Sequence, residues 1–269
     1  MTKVIVAGAA GRMGRRISYM VHQQEGLTLA AGFERPDGPE LGKDLGELAG
    51  MGSLGVRVAD SFEAVKDQGE VVIDFTFHEA TMALARKAAL AKKAMVIGTT
   101  GLSADNLAEL AELSRNFPCV QSPNMAVGVN VLFKIARKMA ALLGDDYDIE
   151  IVEAHHRMKK DAPSGTALKL GEMVAEGVHR NLAEVGVYSR HGMIGERTDK
   201  EIGIQTIRAG DIVGEHTVYF AGAGERLELT HRAHSRDNFA RGAALAAAWV
   251  VGKPNGLYTM FDVLGLQDI

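Results

Sequence analysis

The chain holds a single cysteine, Cys119, in 269 residues, so no intrachain disulfide can form and no paired-cysteine metal or redox motif is present. A lone thiol of this kind reads as a small buried hydrophobe. Excess positive charge is missing as well: 30 Lys and Arg stand against 34 Asp and Glu, a formal net charge of -4, with no basic patch. A nucleic-acid or membrane-surface partner is therefore not expected. No apolar run is long enough to span a bilayer; the longest candidate, Ala243 to Val251, falls well short. The N-terminus has neither a secretory apolar region nor a cleavage site, and a cytoplasmic location is the expectation. Only six prolines occur, without repeats or low-complexity stretches, which leaves out fibrous and disordered classes. With 46% hydrophobic and 24% charged residues, what remains is a globular enzyme or binding protein with one large domain or two modest ones.

The N-terminal half alternates strand and helix patterns. Val4 to Ala7 is a short apolar β-type run, followed by Gly8, Gly11 and Gly14 in GAAGRMG, a helical pattern over Arg15 to Gln24, and a buried run from Leu27 to Phe33 that ends at Glu34. Glu34 lies 20 positions beyond Gly14, where a carboxylate meets the ribose hydroxyls of a bound dinucleotide. Glycine lets the backbone turn tightly against a pyrophosphate, and the helix N-terminus aims N–H groups at it. The spacing is GxxGxxG rather than GxGxxG, yet strand, loop, helix, strand and acid all follow in order. Arg35 comes next; a guanidinium stacks on adenine or pairs with a 2′-phosphate, so Glu34 and Arg35 together imply use of both NADH and NADPH. Further strands end in DFTFHEA after Asp74 and in GTTG at Gly98 to Gly101, placing Thr76, Gly98, Thr99 and Thr100 where doubly wound sheets bind ligands. QSPNMAVGVN after Val120 looks like a crossing between domains, with Asn124 either meeting a cofactor or holding the turn.

The second half has another rhythm. A helix over Asn130 to Leu143 precedes alternating runs at Asp148 to Ala154, Ile202 to Arg208, His216 to Phe220 and Arg226 to Thr230, which predict an open antiparallel or mixed sheet. Helices are expected over Ser164 to Glu176 and Asp237 to Val250. The fold class is thus α/β, a Rossmann-type dinucleotide-binding domain (residues 1–126, with 236–269 returning to it) plus a smaller α+β substrate-binding and oligomerisation domain (127–235). A sheet with so few covering helices buries its other face by self-association.

Chemistry concentrates in EAHHRMKKDAPSGTAL, from Glu153 to Leu168. Histidine is the residue type whose ordinary titration falls near neutrality, which suits His155 to proton transfer, and Lys159 is a cation close by. Pro163 leads into a helix whose first N–H groups suit a carboxylate. Adjacent histidines on a strand face opposite sides, which gives His155 and His156 different tasks. Arg157 and Lys160 read as a solvated rim. Their charge is hostile to a dication, and no metal is expected. PSGT is not a nucleophile elbow, so Ser164 is not expected to act as one. His231 and His234 read as structural, and Arg236 as within reach of a carboxylate.

These segments, together with GEHTV at Gly214, LTHRAHSRDNFARGA at Leu229 and the YTMFDVLGL tail, resemble the 4-hydroxy-tetrahydrodipicolinate (dihydrodipicolinate) reductases over essentially the whole chain. The resemblance implies reduction of a cyclic imine dicarboxylate on the diaminopimelate route to lysine. It implies His155 as proton donor or acceptor, Lys159 as proton donor, and His156, Gly165 and Thr166 as substrate binders. Cofactor contacts then fall on Gly8, Ala9, Ala10, Gly11, Arg12, Met13, Glu34, Arg35, Gly98, Thr99, Thr100, Ser122, Pro123, Asn124 and Met125. A homotetramer built on the substrate-domain sheets is also implied.

Overall fold

The computed structural model describes residues 1–269, which divide into two compact units: Met1–Val127 with Arg236–Gln267, and Gly128–Ser235 with Asp268–Ile269. In chain order the elements are β1 (Thr2–Ala7), α1 (Arg12–Gln23), β2 (Leu27–Phe33), α2 (Leu45–Leu48), β3 (Val58–Ala59), β4 (Val71–Asp74), α3 (His78–Ala91), β5 (Ala94–Ile97), α4 (Ala104–Leu113) and β6 (Pro118–Gln121). Then come α5 (Val127–Leu143), β7 (Asp148–His155), α6 (Gly165–Gly177), α7 (Leu182–Val185), β8 (Gly186–Val187), β9 (Ile202–Arg208), β10 (Gly214–Gly222), β11 (Glu225–Ala233), α8 (Asp237–Val250), β12 (Gly256–Tyr258) and α9 (Met260–Leu264).

In the first unit, seven strands run parallel in the order β12-β6-β5-β4-β1-β2-β3. The chain winds outward from β1 through β2 to β3, then resumes at β4 on the other side of β1, so the order reverses between β1 and β4. Loops at the carboxyl ends of the strands around such a reversal are where this architecture binds ligands. Both faces are covered. Val4, Val6, Ile73 and Val96 pack with Ile17 and Val21 of α1 and Ala243, Ala247 and Val250 of α8. Ile5, Val72, Met95 and Cys119 pack with Met82, Ala85 and Ala88 of α3 and Leu110 of α4. Double coverage explains why the strands read as continuous apolar runs rather than alternating ones. Cys119 is fully buried, and burial pushes its thiol far above the usual range, which leaves it unreactive.

Two features depart from the sequence reading. Helix α1 begins at Arg12, three residues before the apolar pattern does, because Gly11 already serves as its N-cap and accepts the Arg15 N–H at 3.0 Å. Helix α4 went unforeseen, although Ser103 and Asn106 form a reciprocal capping box at its start.

The second unit holds a mixed five-stranded sheet, β11-β10-β7-β9-β8. Strands β7, β9 and β8 run parallel, whereas β10 is antiparallel to both β7 and β11. Ile149, Ile151, Ile204, Val218 and Phe220 are buried on one face. Gly171 of α6 lies so close over β9 that a Cβ would stand 2.8 Å from Ile204 Cδ1. The other face carries charge: Arg190 forks onto Glu150 and also reaches Glu201, while Arg197 binds Asp148 and Glu150. These ion pairs tie the stretch 188–201 to the sheet. Glu150 fills the space above Gly203, where a Cβ would fall 1.9 Å from its carboxylate. Along β11 most residues are exposed.

Close approach of α8 to the turn between β6 and α5 depends on Gly242, whose Cβ would stand 1.8 Å from the Met125 carbonyl oxygen. Gly242→Ala is expected to lower stability by about 1–3 kcal/mol through overpacking, measured as a fall in the urea unfolding midpoint.

Candidate active site

In the first unit the glycine loop follows β1. Gly8 has φ +60, a left-handed conformation that favours glycine, and a Cβ there would lie 2.8 Å from Thr76 Cγ2. Gly14 presses α1 against the loop, since a Cβ would fall 2.1 Å from the Gly8 oxygen. The Ala10 N–H donates to Glu34 Oε1 at 3.0 Å, so the acid at the end of β2 also holds the loop's shape. Arg35 is exposed and pairs with Asp37 at 3.2 Å. Beside these residues opens a cavity of about 410 Å³, bounded by Gly8, Glu34, Arg35, Ser61 and Thr76 with Ala83 and Leu84 as an apolar floor. A tight glycine turn, a helix N-terminus, an acid and an apolar recess fit a dinucleotide.

The other predicted contacts divide by exposure. Gly98 is required by Phe75, whose ring would stand 2.2 Å from a Cβ. Thr99 is buried, with its hydroxyl bonded to Thr81 at 2.9 Å, whereas Thr100 is exposed. Ser122 donates to the Asn124 carbonyl, and Asn124 Oδ1 accepts the Ala126 N–H, so this pair shapes the turn into α5. Met125 is core, and Pro123 is exposed. Ala9 and Ala10 are buried, Gly11 and Arg12 exposed, and Met13 partly so. Buried members have only backbone to offer a ligand. Asp74, at the end of β4, is fully buried; burial pushes its carboxyl up, against the opposing hydrogen bonds from Thr76.

In the second unit the sheet register builds a polar cluster. Thr206, Glu153, His216 and His231 face one another across β9, β7, β10 and β11, and Arg208 pairs with His155 one step along. Residues two apart on a strand share a face, so Glu153 and His155 point the same way. His155 Nδ1 lies 2.6 Å from Glu153 Oε2. Arg208 forks onto the same carboxylate at 2.8 and 2.7 Å, Ser164 donates its N–H at 2.9 Å, and Thr206 adds its hydroxyl at 3.3 Å. Burial alone would push the Glu153 carboxyl up, but the bonds from His155, Arg208 and Ser164 outweigh it and hold the group well below the ordinary carboxylate range. His155 Nε2 is on the Gly214 side, where a Cβ would come within 3.0 Å.

Behind His155, the buried His216 ring stands edge-on at 5.2 Å and meets the Ser164 hydroxyl at 3.2 Å. Burial, and then the neighbouring His155, push His216 down to about 3, so it stays neutral. Strand β7 ends at His155. His156 therefore belongs to the following turn, where its carbonyl accepts the Lys159 N–H at 3.0 Å, and the opposite-faces argument does not reach it. Lys159 pairs with Asp161 at 2.9 Å, and Arg208 reaches the Asp161 carbonyl at 2.7 Å. Ser164 caps α6 by accepting the Ala167 N–H, leaving Gly165 exposed with open space before it. The expected residues His155, His156, Lys159, Gly165 and Thr166 thus lie on one connection, from the end of β7 to the first turn of α6, braced by Arg208. Arg157, Lys160, His234 and Arg236 are exposed, while His231 packs against Gly128. No group of three or more His, Cys, Asp or Glu is arranged to hold a metal ion. Sequence reasoning missed Glu153, Arg208 and His216. Glu153 had a signal, its same-face spacing to His155; the other two come from pairing partners distant in the chain.

Residues 2–125 match the family description "Dihydrodipicolinate reductase, N-terminus" and residues 128–264 match "Dihydrodipicolinate reductase, C-terminus". The chain belongs to the dihydrodipicolinate reductase family. It is an oxidoreductase, and the family places it on the diaminopimelate route to lysine. A 4-hydroxy-tetrahydrodipicolinate reductase of Desulfotalea psychrophila is 68% identical over 269 residues, all of both chains. One from Syntrophus aciditrophicus is 55% identical over 268 residues, again all of both. Among solved structures, the dipicolinate-bound dihydrodipicolinate reductase of Paenisporosarcina sp. TG-14 superposes with a TM-score of 0.76 at 27% identity, covering 97% of this chain and 98% of that one.

A neutral buried histidine has a definite thermodynamic sign. His216 stays unprotonated in the fold down to about 3, whereas its ordinary value is 6.5, so between these limits the unfolded chain binds the extra proton and stability falls as pH falls. The slope contributed is up to about 1.4 kcal/mol per pH unit for one proton. In urea titrations from pH 7 to pH 4, His216→Gln, which keeps a nitrogen for Ser164, is expected to lose that much of the acid-side slope.

Proposed function

We propose that this chain reduces 4-hydroxy-tetrahydrodipicolinate to tetrahydrodipicolinate with either NADH or NADPH, His155 supplying the proton with help from Lys159. The full-length identity of 68% to a relative of that name carries the reading. When bound, the reduced nicotinamide supplies a hydride. Overall, hydride and one proton are added, the 4-hydroxyl departs as water, and the oxidised nicotinamide remains.

The chain's own residues have separable tasks. The backbone of Gly8, Ala9, Ala10, Gly11, Arg12 and Met13, at the N-terminus of α1, receives the pyrophosphate. Glu34 has one oxygen on the Ala10 N–H and keeps the other for ribose. Exposed Arg35 takes a 2′-phosphate when there is one, which supports use of both nucleotides. Gly98, Thr99 and Thr100, with Ser122, Pro123, Asn124 and Met125, line the nicotinamide half, the buried members through backbone alone. His155 holds a hydrogen on Nδ1 against Glu153 and delivers the reaction's proton from Nε2. Lys159 offsets negative charge on the substrate. His156 and the first N–H groups of α6 at Gly165 and Thr166 bind the ring carboxylates.

The first unit is accordingly the dinucleotide-binding domain, and the second the substrate-binding and oligomerisation domain. A homotetramer is supported by the exposed length of β11, with Leu227 at 42% exposure among charged neighbours. No helix is long and apolar enough to cross a membrane, and the single buried Cys119 suits the reducing cytoplasm.

Freshly prepared substrate mixed with enzyme and NADH, then with NADPH, is expected to consume either nucleotide, with kcat/KM values within about tenfold of each other; no turnover overturns the reading. His155→Ala and Lys159→Ala are each expected to lower kcat by roughly 10²–10⁴-fold while NADH binding, followed by fluorescence titration, is retained. Light scattering is expected to give about four times the 28.8 kDa chain mass, and a monomeric mass removes the tetramer.

A further inference from the structure

We propose that Glu153 is the positioning residue for His155, with Arg208 as its counter-ion; this rests on the reading of His155 as the proton donor. An ionised carboxylate only accepts hydrogen bonds, so Glu153 Oε2 at 2.6 Å obliges His155 to carry hydrogen on Nδ1. The exchangeable site is then Nε2 in every turnover, on the Gly214 side of the ring. A carboxylate opposite the far nitrogen of a catalytic imidazole fixes its tautomer and ring plane, and it also stabilises the ring when charged.

A structural role alone does not account for the charge. Glu153 is fully buried, and taking a carboxylate out of water is costly unless it is paired and saturated with donors. Fixing the start of α6 needs one acceptor for the Ser164 N–H, which Oε1 provides and a glutamine carbonyl would provide equally. Oε2 is given instead to His155 and to one arm of the Arg208 fork. The fork is planar and takes both oxygens, so it sets the carboxylate plane and with it the direction from which Nδ1 is met. Arg208 is in turn held by the Asp161 carbonyl on the Lys159 turn, which links the plane of the carboxylate to the loop bearing the second proposed donor. His216, kept neutral, adds no competing charge behind the ring.

The test uses the full-length enzyme with NADH and 4-hydroxy-tetrahydrodipicolinate, and ¹⁵N-histidine-labelled protein for NMR. Glu153→Gln is expected to lower kcat on the order of 100-fold, with the Kd for NADH and the KM for substrate within about threefold of the wild type. In the wild type His155 is expected to show hydrogen on Nδ1 at neutral pH, and in Glu153→Gln a mixture of the two neutral tautomers. Loss of kcat without a change in the His155 signals overturns the positioning role, because a packing defect suffices to explain it. Full kcat in Glu153→Gln alongside collapse in His155→Asn overturns the positioning role alone. Full kcat in His155→Asn overturns both it and the reading of His155. Should Glu153→Gln not fold, the wild-type spectrum decides by itself: a lone pair on Nδ1 overturns the proposal, and hydrogen there upholds it.

Discussion

Glu153 carries its charge where water does not reach, and the surroundings are arranged to make that tolerable. Four donors converge on two oxygens: the Arg208 fork, the Ser164 N–H, the Thr206 hydroxyl and His155 Nδ1. Arg208 and Thr206 come from β9, Ser164 from the start of α6 and His155 from the end of β7 itself, so satisfying one carboxylate ties β7 to β9, to the cap of α6 and to the imidazole at the strand's end. Removing a partner would leave an unpaired buried charge, a larger penalty than any one of these bonds is worth when intact. Burial keeps His216 neutral one strand away in spite of the Glu153 charge, and Arg208 links that carboxylate to the Lys159 turn through the Asp161 carbonyl.

The first unit depends on a steric constraint rather than a charge. Gly8, Gly14 and Gly242 each sit where a Cβ would strike a neighbour: Gly8 lies against the Thr76 side chain, Gly14 brings α1 onto the backbone of the loop after β1, and Gly242 brings α8 onto the Met125 backbone. The closeness at Gly8 and Gly14 shapes the loop beside Glu34, and the acid holds that loop by accepting the Ala10 N–H. A recess next to a carboxylate and a guanidinium follows from packing alone, before any ligand enters.

Much of the fold is legible in the residues. The glycine loop, the acid 20 residues on and the continuous apolar strands identify a doubly wound sheet, because each feature answers a local steric or solvation demand. Alternation in β7, β9, β10 and β11 likewise identifies a sheet open on one face. Boundaries were less legible: α1 starts at Arg12 because a glycine caps it, and the apolar period has nothing to say about the first turn. In the candidate site, His155, His156 and Lys159 stand out since they crowd one segment. Arg208 and His216 do not, being 53 and 61 residues from His155.

Residue chemistry and spacing by themselves determined that a glycine-rich loop of dinucleotide-binding type is followed by an acid, that no intrachain disulfide can form, and that two histidines and two lysines crowd between Glu153 and Leu168. Tertiary structure decided how those side chains are held. Parallel pairing of β7 with β9 and antiparallel pairing with β10 set Thr206, Arg208 and His216 around Glu153 and His155. Strand register is chosen by the whole sheet's burial and hydrogen bonding, a sum over many distant residues, so no local pattern in the chain records which side chains it brings face to face.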